Sequence, residues 1–141
     1  MNLNQVTIQS KNLILSVDFY LKLGLELIVD SRPRYVRFSC SHGESTFSIS
    51  HSKSPKANTN TLYFEVFKID KTFKNLTQKG IETNNSPKDK SWLWREFDLS
   101  DPDGHRLKIY TAGKNRKNPP WRIKQKRWFD AFIESPFNLM K

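Results

Sequence analysis

The stretch Trp92–Tyr110, WLWREFDLSDPDGHRLKIY, decides how this chain folds. Two alternating apolar and polar runs flank Asp101-Pro102-Asp103-Gly104. Pro102 presets φ at about −65°, and Gly104 supplies the left-handed residue that lets a chain reverse. Period-two alternation puts Phe97, Leu99, Leu107 and Ile109 on one face. Trp94, Glu96, Asp98, Lys108 and Tyr110 fall on the other. The segment predicts a β-hairpin with one face in the core and one aromatic, charged face.

Upstream, the chain reads as two similar halves. VTIQS alternates as a strand, Asn12 suits a helix N-cap, and Leu13, Val17, Tyr20 and Leu21 follow at helical spacing up to Gly24. The strand-like runs LELIVD, RYVRFSC and STFSIS come next. Residues 52–60 lack apolar residues apart from Ala57 and hold Pro55, so they read as a linker. The second half repeats the order. TLYFEV is a strand, Asp70 a plausible cap, Ile69, Phe73 and Leu76 one helical face, and Gly80 a stop. Strand-like runs then fall at about 81–84, 93–99 and 105–111. Strand, helix, glycine and three strands thus occur twice, a pair of βαβββ units.

The Trp-rich strand, Arg95-Glu96-Phe97, Asp101-Pro102-Asp103-Gly104 and the apolar strand after it, set in this repeated order, resemble the glyoxalase/bleomycin-resistance/dioxygenase group of the vicinal oxygen chelate superfamily. The resemblance covers roughly residues 3–111. It implies an α+β fold of paired βαβββ modules forming a partly open, barrel-like sheet around a pocket. The domain would span residues 1–112, with half-modules 1–51 and 60–112. Residues 113–141 would be a basic, aromatic C-terminal extension. There Pro119 and Pro120 could open an amphipathic helix that gathers Trp121, Trp128, Phe129, Phe132 and Ile133. Such a helix would pack on the domain or on a partner subunit.

Metal-dependent members of the group carry His, Glu, His and Glu on the concave face. The resemblance aligns Gln5 with the first of these, Ser48 or Ser50 with the second, Thr61 with the third and Lys108 with the fourth. Gln and Thr are weak neutral oxygen donors, and a lysine ammonium opposes a cation. No metal, cofactor or catalytic residue is therefore expected. His42, His51 and His105 read as surface histidines, with His51 closest to the fourth-strand position.

Alternation gives the pocket face independently of the family. Gln5 and Thr7 oppose Val6 and Ile8; Tyr35 and Arg37 oppose Val36 and Phe38; Thr61, Tyr63 and Glu65 oppose Leu62, Phe64 and Val66. Gln5, Arg37, Tyr63, Trp94, Glu96, Lys108 and Tyr110 are the candidate ligand-binding residues. Tyr63, Trp94 and Tyr110 would stack on a planar or cationic ligand. Arg37, Glu96 and Lys108 would orient it, or else pair with one another across strands.

Size and charge bound the rest. The chain has 141 residues, enough for one domain with a proper core. Its single cysteine, Cys40, rules out an internal disulfide, fits a reducing compartment and reads as a packed thiol. No apolar run reaches the roughly 18 residues that would span a bilayer, and no signal segment precedes the first strand. The expectation is a cytoplasmic protein without a membrane partner. Residues 114–141 hold eight Lys and Arg against Asp130 and Glu134, so six of the ten net positive charges lie there.

Three functions follow. The leading one is a metal-independent, small-molecule-binding homodimer resembling bleomycin-resistance proteins, which sequester a drug at a dimer interface. With Lys108 in the pocket of a basic chain, a smaller or anionic ligand suits it better than bleomycin. The alternative is an enzyme of the same superfamily: a lyase, isomerase, dioxygenase or thiol transferase. Without metal ligands it would need Glu96 paired with His51 or Lys108 as acid and base. Nucleic-acid binding through KNRKNPPWRIKQKRW is the least favoured, because a basic helix is more often solvated on one face.

Overall fold

A computed structural model of the chain describes residues 1–56 and 59–124. The first half contains β1 (Gln5–Ser10), α1 (Leu13–Leu23), β2 (Glu26–Ser31), β3 (Tyr35–Ser39) and β4 (Thr46–His51). The second contains β5 (Thr61–Glu65), α2 (Ile69–Gln78), β6 (Lys88–Asp89), β7 (Arg95–Ser100) and β8 (Arg106–Thr111). A one-turn helix, α3 (Lys114–Lys117), follows.

Each half builds a four-stranded mixed sheet, ordered β1-β4-β3-β2 and β5-β8-β7-β6. In each, the first strand runs parallel to the last, Gln5 opposite Thr46 and Thr61 opposite Arg106. The remaining pairs are antiparallel. This is the repeated α+β order expected from the sequence, with the two sheets not closed into a barrel.

Local chemistry explains most boundaries. The Asn12 side chain accepts from the backbone N–H groups of Ile14 and Leu15 and starts α1, and Gly24, at φ 106°, ends it. Helix α2 begins one residue earlier than its expected cap. Its N-cap is Lys68, which makes no side-chain cap bond, and Asp70 lies within the first turn. There the carboxylate meets Arg95 at 2.8 Å. Residues 81–84 are not a strand; the fourth strand of the second half is the two-residue β6. Only Ile81 of that run is buried, and Asn84 N–H binds the Asp98 carbonyl, which leaves too little alternation for a ladder. Beyond α3 the chain at 118–124 is irregular, so Pro119 and Pro120 open no helix among the described residues. The expected helical face at Trp128, Phe129, Phe132 and Ile133 lies outside the described residues.

One core serves both halves. Tyr20, Val36, Phe38, Ile49, Phe97, Leu99, Leu107 and Ile109 are all but inaccessible. The Tyr20 ring packs between Phe19, Phe38 and Phe47, and Phe47 meets Phe64 of the other half edge-on at 6.2 Å. Burial of this much ring area is the main force joining the modules.

The Asp101-Pro102-Asp103-Gly104 turn does more than reverse the chain. Gly104, at φ 84°, lets its N–H reach the Asp101 carbonyl at 3.0 Å. The two carboxylates then reach back across the modules. Asp101 accepts from the Tyr20 hydroxyl at 2.7 Å, and Asp103 from the Lys11 N–H at 2.9 Å and the Ser16 hydroxyl at 3.3 Å. His105, expected at the surface, is 3% exposed instead. Its Nε2 donates to the Gln9 carbonyl at 2.7 Å, which fixes the proton on that nitrogen. The turn is a clasp between the halves.

Candidate ligand-binding site

The faces of the two sheets that bear the candidate residues carry different chemistry. On the second sheet, Trp94 at the end of the loop before β7 stacks on Tyr110 of β8, with centroids 4.5 Å apart and planes 17° from parallel. Tyr63 of β5 meets both rings edge-on, at 6.2 and 5.8 Å. Edge-to-face contact sets the positive ring edge against the negative face of its neighbour, so the three rings hold one another in place. Tyr110 is 5% exposed and Tyr63 55%, so Tyr110 is the floor and Tyr63 the open surface. The Trp94 indole N–H donates to the Asn115 carbonyl at 3.2 Å, tying the platform to α3.

Beside the rings lies an ion pair. The Lys108 ammonium contacts Glu96 at 2.6 Å and Asp98 at 3.3 Å, and Glu96 is 3% exposed. The Trp92 indole N–H donates to the second Glu96 oxygen at 3.3 Å. Burial alone pulls the Lys108 pKa down, but the Glu96 hydrogen bond and the Asp98 and Glu96 charges outweigh it and hold it above the usual lysine value. Lys108 is therefore a matched cation. It offers no surplus positive charge to an anion on this face, which follows the cross-strand pairing alternative of the sequence reading and not the anion-orienting one.

The first sheet presents a hydroxyl cluster. Ser48 of β4 is fully buried, receives the Gln5 amide N–H at 2.6 Å and shares a 2.6 Å hydrogen bond with the Tyr35 hydroxyl. The Arg37 guanidinium donates to the Tyr35 oxygen at 2.9 Å. The Gln5 carbonyl oxygen also accepts from Thr46.

The structure thus brings Tyr63, Trp94, Glu96, Lys108 and Tyr110 into one cluster and Gln5 with Arg37 into another. Among the described residues no hydrogen bond, ion pair or ring contact links the two. Trp92 was missing from the sequence reading, whereas Tyr35 and Ser48 were placed on the pocket side of their strands but left out of the candidate ligand-binding set. Parity was a signal for all three, since Trp92 shares it with Trp94, Tyr35 with Arg37, and Ser48 with Thr46. His51 is exposed on β4, and among the described residues no hydrogen bond or ion pair joins it to Glu96, whose partners are Lys108 and Trp92. His42 is exposed, with its ring against Phe67 at 5.0 Å. Cys40 is half-buried, and burial raises its thiol pKa, as befits a packed thiol.

A family model described as the Glyoxalase/Bleomycin resistance protein/Dioxygenase superfamily matches residues 2–109, and the chain belongs to that superfamily. The uncharacterized protein YraH of Bacillus subtilis (strain 168) is 40% identical over 50 residues, 35% of this chain and 39% of that relative. The chain thus matches well under half of that relative's length. A glyoxalase/bleomycin resistance protein/dioxygenase from Nocardioides superposes with a TM-score of 0.69 at 19% identity, covering 88% of this chain and 90% of its own. Lactoylglutathione lyase from Agrobacterium tumefaciens gives 0.67 at 14% identity, covering 83% and 96%. At these identities the likeness carries the fold.

The donor set does not fit the divalent cation the superfamily's fold can hold. Gln5 and Ser48 spend their polar atoms on each other and on Thr46 and Tyr35, Thr61 offers a neutral hydroxyl, and Lys108 is an ammonium held protonated by two carboxylates. Among the described residues no three His, Cys, Asp or Glu side chains stand close enough to hold a metal ion. No described helix is long and apolar enough to cross a membrane.

Proposed function

We propose that this chain is a metal-independent small-molecule-binding protein that resembles the drug-sequestering, bleomycin-resistance members of its superfamily. The observation that carries this reading is the platform of Tyr63, Trp94 and Tyr110 beside the Lys108–Glu96 pair. Rings already ordered by one another lose little freedom when a planar ligand stacks on them. With Lys108 matched by Glu96 and Asp98, the platform suits an uncharged or weakly cationic ring better than an anion. Trp92 and Tyr63 present the accessible ring surface and the half-exposed Asp98 an acceptor that orients the ligand, while the buried Glu96 holds Lys108 and Trp92 in place. Gln5 and Arg37 belong to the other sheet and would act as a separate polar patch.

The working unit in this reading is a cytoplasmic homodimer, with residues 1–112 as the binding domain and 113–141 as an extension. A drug-sequestering protein of this kind contributes to antibiotic resistance by lowering free drug, with no turnover. The enzymatic alternative requires either a metal quartet or a free acid–base pair. Gln5, Thr61 and the ammonium of Lys108 oppose the first, and the closed Lys108–Glu96 pair opposes the second.

Two measurements test this. Elemental analysis after incubation with Zn²⁺, Ni²⁺, Mn²⁺ and Fe²⁺ should find substoichiometric metal; one tightly held ion per subunit would sink the metal-free reading. A thermal-shift screen of bleomycin and planar heteroaromatics should give hits whose affinity Trp94→Ala weakens by roughly two- to tenfold, the worth of one stacking contact. Hits indifferent to Trp94→Ala and Tyr63→Ala would remove the platform from the site.

A further inference from the structure

A cavity of about 1020 Å³ lies at the seam between the modules, where the end of α1, the turn after β3, strand β5 and helix α2 meet. Its size is at the upper end of small-molecule pockets, roughly 300–1,000 Å³. Leu25, Phe64, Leu76 and Ile109, all core residues or packed on the core, form its floor. Four permanent cations line it, Lys22, Lys68, Lys79 and Arg116, against the single carboxylate of Glu65.

That carboxylate is already engaged. Glu65 accepts from the N–H groups of Ala112 and Gly113 at 3.2 and 3.1 Å and faces Arg116 at 3.6 Å. Lys22 pairs with Asp18 at 2.9 Å. The Lys79 ammonium donates to the Lys22 carbonyl at 3.1 Å, and among the described residues neither it nor the Lys68 ammonium has a carboxylate partner. The seam therefore holds surplus positive charge over an apolar floor, the reverse of the platform, where Lys108 is matched by two carboxylates.

We infer that this seam cavity is a second binding site, for an amphipathic monoanion: an organic carboxylate or sulfonate with an apolar body. The body removes the floor from water, and the acid group meets Lys68 and Lys79 at the mouth, where partly excluded water strengthens the attraction. Tyr63 and Tyr110 line this cavity as well as the platform. Cys40 lines the cavity alone, so the single cysteine reports which of the two places is filled.

The test uses the full chain with 8-anilinonaphthalene-1-sulfonate and its uncharged relative N-phenyl-1-naphthylamine as fluorescent probes at low salt. The sulfonate should bind saturably, and the double variant Lys68→Glu/Lys79→Glu should weaken it at least tenfold while changing the neutral probe less than twofold. Lys68→Gln/Lys79→Gln, which removes charge without reversing it, should weaken it three- to fivefold. Saturating sulfonate should slow maleimide labelling of Cys40, read by mass spectrometry, at least fivefold. Absence of saturable binding, an equal loss for both probes, an affinity unmoved by either variant, or unaltered Cys40 labelling would each overturn the assignment.

Discussion

The two sheets share a strand order, yet the faces that bear their polar and aromatic residues are built from opposite materials. The first sheet lays down hydroxyls and an amide, with Ser48 buried at the centre of Gln5, Tyr35 and Arg37. The second lays down rings and a buried ion pair, Trp94 and Tyr110 stacked beside Lys108 and Glu96. Neutral hydroxyl networks tolerate rearrangement because each member can donate or accept. A buried charge has no such freedom and binds its partner to one geometry. The difference makes the first face a forgiving wall and the second a fixed template.

The largest expected effect breaks that contrast if it is wrong. Lys108→Met leaves Glu96 buried without its cation and should cost about 3–5 kcal/mol in urea unfolding. Gln5→Met on the other face should cost about 1 kcal/mol, since Ser48 keeps the Tyr35 hydroxyl. Equal losses would mean the faces are not energetically distinct.

The junction between the halves comes next. Tyr20→Phe removes one partner of the buried Asp101 carboxylate and should cost about 1–3 kcal/mol. Burial first, and then the Asp101 charge, raises the Tyr20 pKa far above its ordinary value of 10.0. The unfolded phenol ionises near that value and the folded one does not. Its contribution is thus complete below about pH 10 and fades as pH rises above it. The stability of Tyr20→Phe should fall less steeply than wild type above that pH. An identical alkaline profile would remove Tyr20 from the clasp.

The helices sharpen the comparison further. Asn12→Ala should cost about 1 kcal/mol, because α1 depends on that side chain for two N–H groups. Asp70→Ala should cost no cap, because α2 has none, and high salt should erase whatever its exposed pair with Arg95 supplies. The smallest effect is chemical. Burial raises the Cys40 pKa, so it should alkylate more slowly at pH 8 than a free cysteine, and a faster rate would expose a reactive thiol.

Much of this was legible in the chain itself. Period-two alternation placed Phe97, Leu99, Leu107 and Ile109 in the core and Trp94, Glu96, Lys108 and Tyr110 together on the opposite face. Asn12 and Gly24 marked the ends of α1 because capping is a matter of adjacent residues. Residues 81–84 misled because four residues carry too little pattern to separate a strand from an extended loop. His105 misled because a turn position implies exposure unless another part of the chain covers it, and β1 does.

Local pattern, then, was sufficient for the two βαβββ units and for the faces of their strands, since these depend on spacings of two to four residues, and the family came from the resemblance carried by Trp92–Tyr110 and the repeated order. Only the folded chain decided what those faces do. Lys108 is matched rather than free because β7 brings Glu96 and Asp98 beside it, and Gln5 with Arg37 lies on a different wall from Trp94. The turn at Asp101–Gly104 is a clasp because Tyr20, Ser16 and Lys11, more than eighty residues away in sequence, arrive at its carboxylates. The surplus cations collect at the seam for the same reason: charge is read along a chain, but its neutralisation depends on distances across the fold.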